Sequence, residues 1–181
     1  MPNDIIDAYE LSAGVFVRGL TNLKTQLTKA EHHASSGEAA LLDARLAPEE
    51  RSGVHAPADL HMYTLAAQVH WAAEGAMLAI AQLLDKPRTP TPNDAGSFAD
   101  LHQRLDEAIA YLKQISADDL QEGLDRTIKH PRGSTQTSGA KFLVAFAIPH
   151  FFYHLTTVYG ILRNKGVQLT MGDFLGNWAA S

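Results

Sequence analysis

The stretch Phe142 to Leu162 (FLVAFAIPHFFYHLTTVYGIL) runs 21 residues without Asp, Glu, Lys or Arg. A helix of that length and character is either a bilayer span or the most buried helix of a globular core. Pro149, two histidines and two threonines stand in its middle, and hydrocarbon disfavours such groups. Three further segments carry the apolar stripe of helices that are wet on one side. Between Tyr9 and Ala30 the stripe is Ala13, Phe16, Leu20, Leu23, Leu27 and Ala30, in alternating steps of three and four. From Met62 to Leu83 it is Met62, Ala66, Val69, Ala73, Ala76, Ile80 and Leu83, and Pro87 stops the helix. Ser97 to Asp100 has the form of a capping box and opens a third helix striped by Phe98, Leu101, Leu105, Ala108, Leu112 and Ile115. The fourth helix runs from about Ser138 to Lys165, with Gly166 placed for a left-handed cap.

These patterns predict an all-α fold, an up-and-down four-helix bundle in one domain spanning residues 1–181. Gly37 to Leu46 reads as a short extra helix, followed by a polar loop from Pro48 to Pro57, and Asp125 to Thr137 as a small hairpin before the last helix. With 45% hydrophobic and 19% charged residues the composition is that of a globular domain. The net charge of −5 offers no basic field for nucleic acid or anionic lipid. The acidic start MPNDIIDAYE lacks the order of a signal peptide, so the expectation is a cytoplasmic protein that meets no membrane. Zero Cys removes disulfides, thiolate metal sites and a cysteine nucleophile.

Histidine is the one excess, at nine residues. His150 and His154 are four apart, so a helix stacks both rings on one face. The inward stripe of the fourth helix is Leu143, Ala147, His150, His154, Thr157 and Ile161, which turns the pair into the bundle. Buried imidazoles need partners, and two solutions stand open: a shared metal ion, or backbone carbonyls and hydroxyls. Pro149 leaves the carbonyl of residue 145 without its helical donor beside His150. The resulting bend either makes room for a ligand or accommodates the Phe151-Phe152-Tyr153 run. His70, just beside the second stripe, is the natural third ligand, and Glu74 one turn on is a candidate to orient a ring or take a proton from bound water. The alternative for Glu74 is a solvated carboxylate. All-nitrogen ligation with an open position suits zinc or nickel. His32 and His33 sit at a helix C-terminus, His102 lies on a polar face, and His55 and His61 flank the start of the second helix. His130 belongs to a basic cluster with Arg126, Lys129 and Arg132, which either meets an anionic substrate or is a solvated loop.

Four helices with a His on the second and an H-x-x-x-H pair on the fourth resemble the DinB/YfiT-like superfamily of metalloproteins. Within it the chain is similar to the DUF1993 family, through FVRGLTNLKTQLTKAE (16–31), LLDARLAP (41–48), FADLHQRLDEAIAYL (98–112), and PHFFYHLTTVYGILRNKGV followed by GDFLG (149–176). Members of DUF1993 often carry amide residues where this chain has His70 and His150, and Glu49 to Ala58 looks like an insertion. The resemblance implies a divalent metal held by His70, His150 and His154, and, from some relatives, metal activation of water or of an external low-molecular-weight thiol for a hydrolase or transferase reaction on an unknown small-molecule substrate. It also implies a homodimer. The rival expectation is a non-catalytic bundle for dimerisation or partner binding, with the histidines as core polar groups and no metal.

Overall fold

The computed structural model describes residues 6–34, 37–46, 62–129 and 136–177. The chain order is α1 (Ala13–Ala34), α2 (Glu38–Leu42), α3 (Leu65–Leu83), α4 (Phe98–Lys113), α5 (Ala117–Asp125), β1 (Thr127–Lys129), β2 (Gln136–Ser138), α6 (Gly139–Phe142), a π-helical turn (Leu143–Ala147), α7 (Ile148–Asn164) and α8 (Met171–Leu175). The sequence stripes face inward: all six named residues of α1 are fully buried, as are Phe98, Leu101, Leu105, Ala108 and Leu112 of α4. Met62 and Ala66 are half-buried at the edge of the core, since α3 starts three residues later than the stripe suggested.

Hydroxyl caps set the helix starts. Thr64, Ser97, Ser116 and Ser138 each accept a hydrogen bond from the backbone N–H three residues on, and Thr170 with Asp173 completes a capping box. Glu38 of α2 accepts from Phe98 N–H at 2.6 Å, which ties the short helix to the start of α4. Gly166, at φ 91°, follows the C-terminus of α7 as expected. Two elements fall outside the sequence reading. Leu120 draws the acidic helix α5 onto the core, and Asn22 and Gln26 hold α8 by donating to the carbonyls of Phe174 and Asp173. The hairpin forms as an antiparallel pair with Ile128 opposite Thr137, and its turn, with the Glu49 to Ala58 loop and His55, His61 and His130, lies outside the described residues.

α3 packs chiefly against α4 and α7, and α1 against the same two helices from the other side, so α1 and α3 stand across the bundle from each other. The α6–α7 helix is the one among the described residues long and apolar enough to cross a membrane by length and composition. In this fold one face of it belongs to the core, but it is not the most buried helix expected from sequence: α3 buries 14 of its 19 residues and α7 buries 7 of 17. Its residues Phe151, Leu155, Val158 and Ile161 are at most 2% exposed, and Phe151 meets Phe16 edge-on at 4.9 Å between ring centroids. Gly19 of α1 makes that approach possible, because a Cβ there would stand 2.5 Å from the Phe151 ring. Pro149 is absorbed without a break. The backbone widens into a π turn ahead of it while Phe142, Leu143, Ala147 and Ile148 keep right-handed helical angles.

The tightest backbone approach brings α5 against α6, where a Cβ on Gly139 would fall 2.0 Å from the carbonyl oxygen of Gly123. Backbone yields less readily than a side-chain tip, so Gly139→Ala should cost at least the ~1–3 kcal/mol typical of overpacking. Urea unfolding of the two proteins measures this; equal midpoints would contradict the contact.

Candidate functional site: an imidazole pair at a cavity

α7 presents His150 and His154 on adjacent turns, with their Nε2 atoms 3.3 Å apart and the rings at 76° to each other. His154 is 3% exposed and its Nδ1 lies 2.6 Å from Oε1 of Gln68, a fully buried residue of α3. His150 is half-buried and stacks at 22° on Phe146 of the π turn. Both imidazoles line a cavity of about 600 Å³ whose walls include Tyr63, Trp71, Gly75, Phe142, Phe146 and Tyr153. The π turn demanded by Pro149 therefore forms one wall of the cavity. Gly75 forms part of the opposite wall, where a Cβ would come within 3.2 Å of Nδ1 and Cε1 of His150.

His70 is elsewhere. It sits two residues after Gln68, about 200° round a helix that turns about 100° per residue, and so faces α4 instead of α7. Its Nδ1 is 2.7 Å from a guanidinium nitrogen of Arg104. Since a guanidinium only donates, that Nδ1 accepts and the buried ring is neutral with hydrogen on Nε2. Glu74, one turn on and fully buried, accepts from Thr91 Oγ1 at 2.7 Å and has Nε of Arg88 at 3.3 Å. Arg104 also donates to Thr91, to the carbonyl of Pro92 and to Asp94. His70 and Glu74 thus anchor the segment between α3 and α4.

The structure does not bring His70 to the pair: α3 and α7 are neighbours, but the helix phase gives the face toward the pair to Gln68. Nor is Glu74 the solvated carboxylate considered as its alternative, or a base beside the pair. Among the described residues no group of three or more His, Asp or Glu side chains is placed to hold a metal. The pair alone supplies two nitrogens at the ~3.3 Å separation of two ligands about 2.0–2.1 Å from one tetrahedral zinc. Of the remaining described histidines, Nε2 of His33 is 3.1 Å from the carbonyl of Lys165 and His102 lies 3.7 Å from Glu31.

A family model described as "Domain of unknown function (DUF1993)" matches residues 8–175. The chain belongs to the DUF1993 family. The crystal structure of a DinB family member protein from Shewanella denitrificans is similar to it, with 30% identity, a TM-score of 0.79, and 93% of this chain and 91% of that chain covered. No curated protein matches.

Gln68, Trp71 and Arg104 are the site residues that the DUF1993 sequence did not announce. Gln68 shares a face of α3 with Gly75, seven residues or nearly two full turns on, and only the packing of α7 shows that this face is the one toward the pair. Burial lowers the pKa of His70, and Arg104 lowers it further against the opposing pull of Glu74 and Asp94. A histidine depressed in the folded state gives stability that is present above its unfolded value of about 6.5 and is lost as pH falls through the folded value. Wild-type protein should therefore lose more unfolding free energy between pH 7.5 and 5 than His70→Asn, which keeps an acceptor for Arg104 but does not titrate. Denaturant titrations across that range measure the difference, and parallel pH curves would refute the assignment.

Proposed function

We propose that this DUF1993 protein binds a small, mainly apolar molecule in the cavity between α3 and the α6–α7 helix, and that the His150–His154 pair moves a proton to or from it. The observation that carries the reading is the convergence of two adjacent imidazoles on an aromatic-walled cavity of about 600 Å³. Pockets of this size with few placed polar groups are the usual form of small-molecule sites. Imidazole is the side chain best suited to accept and return a proton near neutral pH. The molecule's polar group would sit at the pair, with its apolar part against Trp71, Phe142 and Phe146. An external thiol, water or alcohol is the kind of group such a pair deprotonates.

The 3.3 Å Nε2 separation favours a second reading, a divalent ion such as zinc or nickel on His150 and His154. Gln68 would then hold the distal nitrogen of His154, as hydrogen-bonding partners behind metal-bound imidazoles commonly do. When bound, such an ion supplies activation of water or a thiol at its open positions. Histidines ligate as neutral rings, so binding releases any proton that a ring has to give up.

The apolar probe 1-anilinonaphthalene-8-sulfonate tests the cavity. Wild-type protein should bind it saturably with quenching of Trp71, and Leu78→Trp, which narrows the cavity, should weaken binding at least tenfold while His70→Asn leaves it unchanged. Absence of saturable binding would remove the reading. For the ion, calorimetric titration of chelator-treated protein with zinc or nickel should show binding that His150→Ala or His154→Ala abolishes and His70→Asn retains. No heat with wild-type protein would eliminate the metal and leave the proton-transfer pair.

From the resemblance to DinB-like relatives we also infer a cytoplasmic homodimer. Of the run Phe151-Phe152-Tyr153, Tyr153 remains 52% exposed, and Val144 of the same helix is 68% exposed. Light scattering at micromolar concentration should return twice the chain mass of 19.7 kDa; a single-chain mass would contradict it.

A further inference from the structure

We propose that Gln68 is the positioning residue of the imidazole pair: its side-chain oxygen fixes His154 as the Nδ1–H tautomer and gives the hydrogen bonds of the pair a single direction. The proposal rests on the reading of the cavity as the functional centre. Oε1 of Gln68 is 2.6 Å from Nδ1 of His154, and both side chains are withdrawn from water. An amide oxygen only accepts, so Nδ1 of His154 carries the hydrogen and Nε2 of the neutral ring does not. That Nε2 lies 3.3 Å from Nε2 of His150 and accepts from it. His150 is then the Nε2–H tautomer, and its unprotonated nitrogen is Nδ1, on the ring edge that passes Gly75 in the cavity wall.

The direction matters for chemistry. Hydrogen bonds run from His150 to His154 to Gln68, so a proton taken from a bound molecule enters at Nδ1 of His150. The imidazolium so formed keeps its other hydrogen on a ready acceptor, His154 Nε2. With the hydrogen on Nε2 of His154 instead, the bond between the rings would run the other way, and His150 would carry its hydrogen on Nδ1, where it could not accept a proton. Gln68 and Gly75 share one face of α3, so a single helix face holds one end of the pair and makes room for the other. The rest of the Gln68 amide makes no comparable contact. Its Nε2 is buried with no hydrogen-bond partner among the described residues. Packing alone would be better served by leucine, and a buried polar group kept at that disadvantage calls for a specific reason. The acceptor oxygen provides it.

The test uses the full chain with 15N-labelled histidine, treated with chelator and held at pH 8 without ligand, and reads ring tautomers from two-bond 15N–1H correlations, assigned with His154→Gln. His154 should appear as the Nδ1–H form in the wild type. It should leave that form in Gln68→Leu and regain it in Gln68→Glu, which restores an acceptor. An Nε2–H or exchanging His154 in the wild type overturns the proposal, as does a Gln68→Leu protein whose His154 signals do not move. If Gln68→Leu does not fold, the wild-type and Gln68→Glu spectra decide by the same criterion. Because the readout needs neither probe nor metal, its failure is distinguishable from failure of the cavity to bind.

Discussion

A helix with no charge over 21 residues needs one face covered, and the contact that covers it is the close seating of α7 on α1 and α3. Phe151 enters where Gly19 leaves no Cβ, and the burial of Phe16, Phe151, Leu155 and Ile161 follows from that approach. Each such side chain contributes about 1.5–3 kcal/mol when fully removed from water. The exposed ion pairs that join α1 to α4, Lys24 with Asp106 and His102 with Glu31, contribute little by comparison. The bundle therefore depends on apolar contact along its axis, and its polar layers are tolerated inside a frame that is already secured.

Those polar layers lie on opposite faces of α3. One consists of Gln68 with the imidazole pair, open to the cavity; the other consists of His70, Glu74, Arg88, Thr91 and Arg104, closed around the linker to α4. Burying polar groups is costly unless they are partnered, and the two layers differ in their partners, with Gln68 Nε2 in one and Glu74 Oε1, Arg88 Nε and Arg104 Nε in the other left without a hydrogen bond among the described residues. In the α4-side layer an imidazole and a carboxylate are matched by two guanidinium groups and a hydroxyl, an arrangement that fixes a loop. Two imidazoles and one amide make up the α7-side layer, which opens on the cavity.

Pro149 connects the fold to the site. Its missing N–H rules out a regular α-helical turn at that point, and the π turn that results carries Phe142, Phe146 and Ala147 around the cavity next to His150. Of the two roles open to the proline from sequence alone, the structure shows the accommodation of the bulky run, and room for a ligand belongs to the proposed reading of the cavity. The bulky run after it has Phe151 in the core and Phe152 against Phe174, and the π turn before it lines the cavity.

By itself the sequence determined what depends on local period. The stripes of α1 and α4, the Ser97 and Ser138 starts, the Gly166 end and the adjacency of His150 and His154 all follow from 3.6 residues per turn and from the cap chemistry of single residues, whereas the core face of α7 also takes Phe151, Leu155, Val158 and Leu162, outside the expected stripe. The short helices α5 and α8 escaped that logic because they are held by a few long-range contacts, Leu120 in the core and Asn22 and Gln26 on the carbonyls of α8. The partner of each face of α3 was likewise a tertiary matter. Nearly every side of that helix is apolar or buried, so its stripe is too broad to give a phase, and a two-residue difference reverses the direction of a side chain. Only the packing of α4 on one side and α7 on the other decided that His70 meets Arg104 and Gln68 meets His154, because the side chain that faces a site is selected by where the neighbouring helix lies.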